Sequence, residues 1–220
     1  MHREVGAGNQ TRNDFWQSLQ TGRLGIRASP VLGLCYFGLV PRYSDFIDRI
    51  FLNPDLHKKL HPTEPVDWEF PSKVRDASDE TLAGGRPIRD SRMLALVRGA
   101  LLCAGDALDP AHKIFQNDPS PLGSYWHGVM HRREADFDNA RYWFRNAGKL
   151  PPFDKMHDAA REVSADMARQ TTWDPYLFTG LCEQAKFGAE ELKAECLALQ
   201  RAEFEVLFDY CWRQAVGDKE

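Results

Sequence analysis

The chain has 220 residues, 43% hydrophobic and 27% charged, with a formal net charge of −4. That length suits one large domain, or one domain with an irregular extension. The slight negative charge, with lysines and arginines scattered rather than clustered, offers no basic footprint for nucleic acid, so none is expected as a partner. Five cysteines, Cys35, Cys103, Cys182, Cys196 and Cys211, form no C-x-x-C pair. They read as reduced thiols of a cytoplasmic protein, with Cys103, Cys182, Cys196 and Cys211 as small core residues, rather than a disulfide framework or a structural zinc site.

Residues 1–28 are polar and weakly patterned and are read as an N-terminal extension. A single helical domain is expected over 29–216. The longest apolar run, Val31–Val40, is too short for a bilayer, which needs about 20 residues. It reads as a buried segment, and no membrane association is expected. Tyr43–Leu52 looks like a short helix with Ser44 as N-cap and Phe46, Ile47, Ile50 and Phe51 on one face. Asn53-Pro54 breaks it, and 53–89, rich in Pro, Asp, Lys and Gly, reads as a long irregular segment covering one end of a helical core.

Met93–Ala104 is apolar nearly all round and is predicted to be the central buried helix, capped by Asp90 or Ser91. A helix follows over 108–116, with Asp109 as N-cap and Pro110 at its first position. Helices are then expected over 122–134, over 138–148 with Asp136 or Asp138 as cap, over Phe153–Gln170, from Asp174-Pro175 to Gly188, and over Ala189–Val216. No stretch alternates with period two. The fold class is therefore all-α, a non-symmetric helical bundle.

The helix over 122–134 carries the chemistry. His127, His131 and Glu134 stand at i, i+4 and i+7, and at about 100° per residue they fall within roughly 60° of one another. Two imidazoles and a carboxylate in one column form an acid–base set or part of a metal site. The metalloprotease pattern H-E-x-x-H is excluded, because Gly128 stands where its glutamate would be. A divalent metal needs a further ligand, for which His112, Glu134 and Asp136 are candidates; the metal set taken here is His112, His127 and His131. His112 near a helix start is favoured as neutral imidazole, the form that ligates.

Arg132 or Arg133 would clamp an anionic group in bidentate fashion, or else lie in a solvated charged helix end. Asp136, Asn139 and Tyr142 are candidate ligand-binding residues. Asn139, Tyr142, Trp143 and Asn146 share one side of the next helix, and Trp143 reads as core. His57 and His61 receive no role, and His157 is expected in solvent. No G-x-S-x-G, P-loop or dinucleotide fingerprint is present.

Gly128, Ala140, Phe144, Ala147 and Pro152 fall at the small, aromatic and proline positions of a tetratricopeptide repeat. Residues 117–152 thus resemble one such repeat, implying a helical hairpin at 121–148, although no second copy follows at a period of about 34. The longer pattern Trp126-His127-x-x-x-His131-Arg132-x-Glu134-x-Asp136-x-x-Asn139-Ala140-x-Tyr142-Trp143, together with Leu108-Asp109-x-x-His112, Trp173-Asp174-Pro175 and Leu207-Phe208-Asp209-Tyr210-Cys211, is similar to a family of uncharacterised all-helical proteins of bacteria and some fungi. The resemblance spans roughly residues 90–215 and brings no mechanism with it.

Two functional expectations follow. One is an enzyme or small-molecule-binding protein with a His/Glu/Arg pocket between helices 108–116, 122–134 and 138–148, such as a metal-dependent hydrolase acting on a small polar or anionic molecule. The alternative is a tetratricopeptide-like interaction module that binds a peptide or protein partner without catalysis.

Overall fold

The computed structural model describes residues 42–217. The polar extension 1–28, the apolar run Val31–Val40 and Cys35 lie outside the described residues. Eleven helices and no strand occur among the described residues: α1 (Asp45–Phe51), α2 (Phe70–Asp76), α3 (Asp79–Ala83), α4 (Ser91–Ala104), α5 (Leu108–Phe115), α6 (Pro121–Arg133), α7 (Phe137–Ala147), α8 (Phe153–Arg161), α9 (Ala165–Ala168), α10 (Pro175–Ala185) and α11 (Glu190–Val216). The fold class is all-α. None of these helices is long and apolar enough to cross a membrane.

Local chemistry sets most boundaries. Ser44, Asp90, Ser120, Asp136 and Asp174 each accept a backbone N–H of the first turn that follows, satisfying donors a helix start leaves free. Pro121 and Pro175 occupy the first helical position, where no N–H is needed. Gly148 ends α7 with φ +62°, a left-handed angle that costs glycine little.

The central helix is α4. Ten of its residues are buried, from Met93 to Ala104. It packs on α2, α3, α5, α6 and α11. The long α11 lies against α4, α8 and α10. Trp126 of α6 donates its indole N–H to the Cys211 thiol of α11 over 3.3 Å. A hairpin joins α6 to α7 through a tight turn, and the two helices approach closely at Gly128. A Cβ there would stand 2.7 Å from the Phe144 ring, so only glycine fits without displacing it.

Three expectations are corrected. Residues 53–89 contain two short helices, α2 and α3, rather than none. Their support is distant in sequence: Arg98 of α4 donates to the carbonyls of Val74 (2.7 Å) and Ala77 (2.6 Å) and to the carboxylate of Asp79 (2.7 Å). The helix expected over Phe153–Gln170 breaks after Arg161, because Ser164 turns its hydroxyl to cap the Met167 N–H and starts α9. Val163, which an unbroken helical period would bury, is 37% exposed. Finally, α5 begins at Leu108 with Ala107 as its N-cap residue, so Asp109 lies in the first turn and does not cap.

Candidate metal centre

The column on α6 forms as its spacing predicts. His127 and His131 stack with ring centroids 4.7 Å apart and planes 18° from parallel. From the preceding helix, His112 of α5 brings its ring centroid to 4.7 Å from His127 and 5.2 Å from His131. One ring nitrogen from each of the three lies within 4.8 Å of the other two, so the set could hold a metal ion. His127 and His131 are buried, and half-buried His112 is the member that reaches the surface.

Each imidazole has a different environment. His131 Nδ1 lies 2.9 Å from Glu134 Oε2 and 4.0 Å from Asp136 Oδ2. The carboxylate accepts from the Nδ1–H tautomer, which leaves Nε2 as a lone-pair donor. Burial and the charge of His112 lower the pKa of His131, while Glu134 and Asp136 oppose that shift.

His127 has no such support. Neither of its ring nitrogens has a hydrogen-bond partner, although both are buried. Burial and the two neighbouring imidazoles push its pKa down to about 3. It is a neutral ring whose polar atoms face one another's like, in a place where buried polar atoms are normally paired.

α7 covers the set. Trp143 stacks on His127 with centroids 4.0 Å apart and planes 22° from parallel. It is half-buried, not the core residue expected from its register, and its indole forms a wall of the centre. Asn139, one turn earlier, places its amide nitrogen 3.1 Å from His131 Nε2. Asp136 caps α7 through its Oδ1, 3.3 Å from the Asn139 N–H. Tyr142 is 51% exposed and meets Trp143 edge-on, with its hydroxyl directed at none of the histidines by any hydrogen bond among the described residues.

The arginines are arranged differently from the expectation. Arg132 turns away from the histidine column and is buried in an ion pair with Glu203 of α11, its second nitrogen donating to Glu203 Oε1 over 3.2 Å. Tyr125 also donates to Glu203 Oε1, over 2.7 Å, and Trp173 donates to the Tyr125 hydroxyl over 2.6 Å. The Phe178 ring lies 4.0 Å from the guanidinium carbon. Arg133 is buried as well, paired with Asp106 and donating to the Cys103 and Lys59 carbonyls. The Arg132-Arg133 pair is therefore neither a solvated helix end nor a clamp beside the histidines. It anchors α6 to α11 and to the α4–α5 turn.

Glu203, the buried partner of Arg132 and Tyr125, was not foreseen in the sequence. Its signal was a lone carboxylate on the apolar stripe formed by Leu199, Glu203 and Leu207, at i, i+4 and i+8. His57, given no role, is buried against Phe204 with ring centroids 4.3 Å apart. His157, expected in solvent, is half-buried with Nε2 3.2 Å from the Met167 carbonyl.

The buried thiols take no part in the cluster. Burial raises the pKa of Cys103, Cys182 and Cys211, which keeps them protonated and unreactive. A cleft of about 320 Å³ lies elsewhere, lined by residues that include Phe144, Phe153, Gln170, Thr172, Trp173 and Tyr176, and by no histidine.

No protein-family model, no curated protein and no solved structure matches this chain.

Proposed function

We propose that His112, His127 and His131 hold a divalent transition-metal ion, and that the protein is an enzyme using that ion in a hydrolytic or hydration reaction on a small polar molecule. The observation that carries this reading is His127. It is a buried neutral imidazole with both nitrogens unpartnered, stacked within reach of two others. An ion would satisfy one of those nitrogens and give the burial a purpose.

The donor set fits a zinc-like ion. Imidazole nitrogens suit zinc, cobalt, nickel and copper, whereas magnesium and calcium take oxygen. Ligands on one tetrahedral zinc at about 2.0–2.1 Å stand ~3.3 Å apart. The three nitrogens are at most 4.8 Å apart, so an ion would have to draw them together by up to about 1.5 Å to reach that spacing. An ion held by three imidazoles supplies Lewis acidity to water at its open position.

This chain's own side chains do the rest. Glu134 fixes the His131 tautomer, as carboxylates behind metal-bound histidines do. Trp143 excludes water from the outer face of His127. With Arg132 committed to Glu203, the charge around the histidines comes from Glu134 and Asp136, which attract a cation and disfavour an anionic substrate.

The test is elemental analysis of untagged protein purified without chelator, beside His112→Gln and the double variant His127→Ala, His131→Ala. A near-stoichiometric metal in the parent that both variants lose supports the centre. His112 is half-buried, so His112→Gln keeps the fold and separates lost metal from lost structure. Folded parent that takes up neither zinc nor cobalt on dialysis overturns the reading.

A further inference from the structure

One fully buried residue, Tyr125, backs three of the side chains that line the cleft without histidines. Its ring lies 5.0 Å from Phe144 and 5.6 Å from Phe153, centroid to centroid. Its hydroxyl accepts the Trp173 indole N–H over 2.6 Å and donates to Glu203 over 2.7 Å. Glu203 is in turn paired with Arg132. Phe144, Phe153 and Trp173 are therefore walls fixed from behind, and exposed Tyr176 adds a fourth ring at the surface. Side chains locked in this way keep a cleft in shape with no guest to hold it.

The backbone contributes as well. Gly148 lines the cleft at φ +62° and ψ −153°, a region that strains any other residue. Nothing lies within 4 Å of the place where a Cβ would stand, so the glycine leaves room unfilled and relieves no clash. Thr172 also lines the cleft, and its buried hydroxyl oxygen has no hydrogen-bond partner among the described residues. Such an orphan costs free energy until something pairs with it. No hydrogen bond holds the hydroxyl where it is, so rotation about χ1 can offer it to a guest.

Charge and size narrow the guest. The charged residues of the lining are Lys149 and Asp174, one of each sign. Lys149 is loosely paired with Asp154 at 3.9 Å, and Asp174 Oδ1 caps α10 by accepting from the N–H groups of Tyr176 and Leu177. An ionic guest would find no unmatched opposite charge. The volume of about 320 Å³ is at the lower end for small-molecule pockets, roughly 300–1,000 Å³, so it suits one or two fused rings and not a peptide segment. We infer that this cleft binds a small, flat, uncharged aromatic molecule of phenol or indole type, stacked on its rings and hydrogen-bonded to Thr172. The site is independent of the metal reading, since no histidine lines it.

The test titrates the full chain, 15N-labelled and without added metal, with 2-naphthol. It follows the Trp173 indole N–H resonance, which Trp173→Phe identifies. 2-Naphthoate and 2-naphthylmethylamine carry the same rings with a negative and a positive charge. 2-Naphthol should shift the resonance saturably, and both ions should bind more weakly. Tyr176→Ala should weaken 2-naphthol about tenfold, and Thr172→Val about fivefold, both with unchanged circular dichroism. Thr172→Val should also melt no lower than the parent, because the hydroxyl has no partner to lose. Lys149→Gln should leave 2-naphthol binding as it is. A Trp173 resonance that does not move overturns the site, as do parental affinities in both Tyr176→Ala and Thr172→Val. Tightest binding by 2-naphthoate, lost in Lys149→Gln, would make this an anion site and overturn the uncharged class.

Discussion

The indole of Trp143 lies flat on the imidazole of His127, ring centroids 4.0 Å apart, and no other aromatic pair among the described residues stacks so closely on a candidate ligand. Stacked rings at this distance contribute about 0.5–1.5 kcal/mol beyond their burial. The indole also sits next to wherever a metal on His127 would be.

A paramagnetic ion at the histidines should therefore quench Trp143. Titrating the protein with Cu(II) should remove part of the tryptophan emission with one-site saturation, and Trp143→Phe should lack that part while still binding the ion by calorimetry. Equal quenching in the parent and in Trp143→Phe would place the ion elsewhere.

The contact between Glu134 and His131 predicts a graded series. Glu134→Ala leaves Nδ1–H without its acceptor and should weaken zinc binding 10–100-fold, the usual cost of losing a carboxylate behind a ligating histidine. Glu134→Gln keeps an accepting oxygen and should fall between. Competition with a chromophoric chelator measures both. Unfolding midpoints in the absence of metal should move little, since Glu134 is exposed.

The pair Arg132–Glu203 is 1% exposed on both sides. Glu203→Ala strands a buried guanidinium and removes the acceptor of Tyr125, so it should cost about 3–5 kcal/mol. For a chain of this size that lowers the melting temperature by on the order of 10 °C. Replacing both partners together, as Arg132→Met with Glu203→Leu, should cost far less than the sum of the single changes. Calorimetric melting of the parent, Arg132→Met, Glu203→Leu and the double variant tests this, and additive losses would show that the pair does not act as a unit.

Acid should destabilise the fold through His57. Burial, with Arg133 and Arg201 nearby, holds its pKa well below 6.5. The unfolded chain therefore takes up the proton first. The stabilisation is complete above about pH 6.5 and is lost as the pH falls toward the folded value. His57 has φ +59°, a left-handed angle that asparagine tolerates better than most residues. Urea unfolding of His57→Asn should show a shallower loss of stability below pH 6.5 than the parent. An identical pH profile would assign the acid limb to other groups.

What the sequence revealed here was mostly what neighbours in the chain determine. The caps Asp90 of α4 and Asp136 of α7, the Asp174-Pro175 start of α10 and the column of His127, His131 and Glu134 follow from spacings of a few residues, and they appear where the pattern puts them, whereas the Ser120 cap of α6 was not foreseen. The orientation of Arg132 was not legible, because it depends on Glu203, which lies 71 positions further on. α2 and α3 escaped notice for the same reason: Arg98, two dozen residues downstream, holds their ends. The break in 153–170 was a local matter misjudged, since the hydrophobic period ran on through Ser164 while its hydroxyl was already set to start a new helix. Trp143 was legible as apolar and half right, but whether an indole meets core or an imidazole depends on helix pairing, which the Gly128–Phe144 contact sets.

The tight hairpin of α6 and α7 has a bearing on the order of events during folding. His127, His131, Asn139 and Trp143 all come from two helices joined by one turn, and His112 from the helix just before them. Closing so short a loop costs little chain entropy, and contacts so local form early. The histidine set can thus assemble while α11 is still seeking its place, and an ion captured then would nucleate the bundle instead of entering it finished.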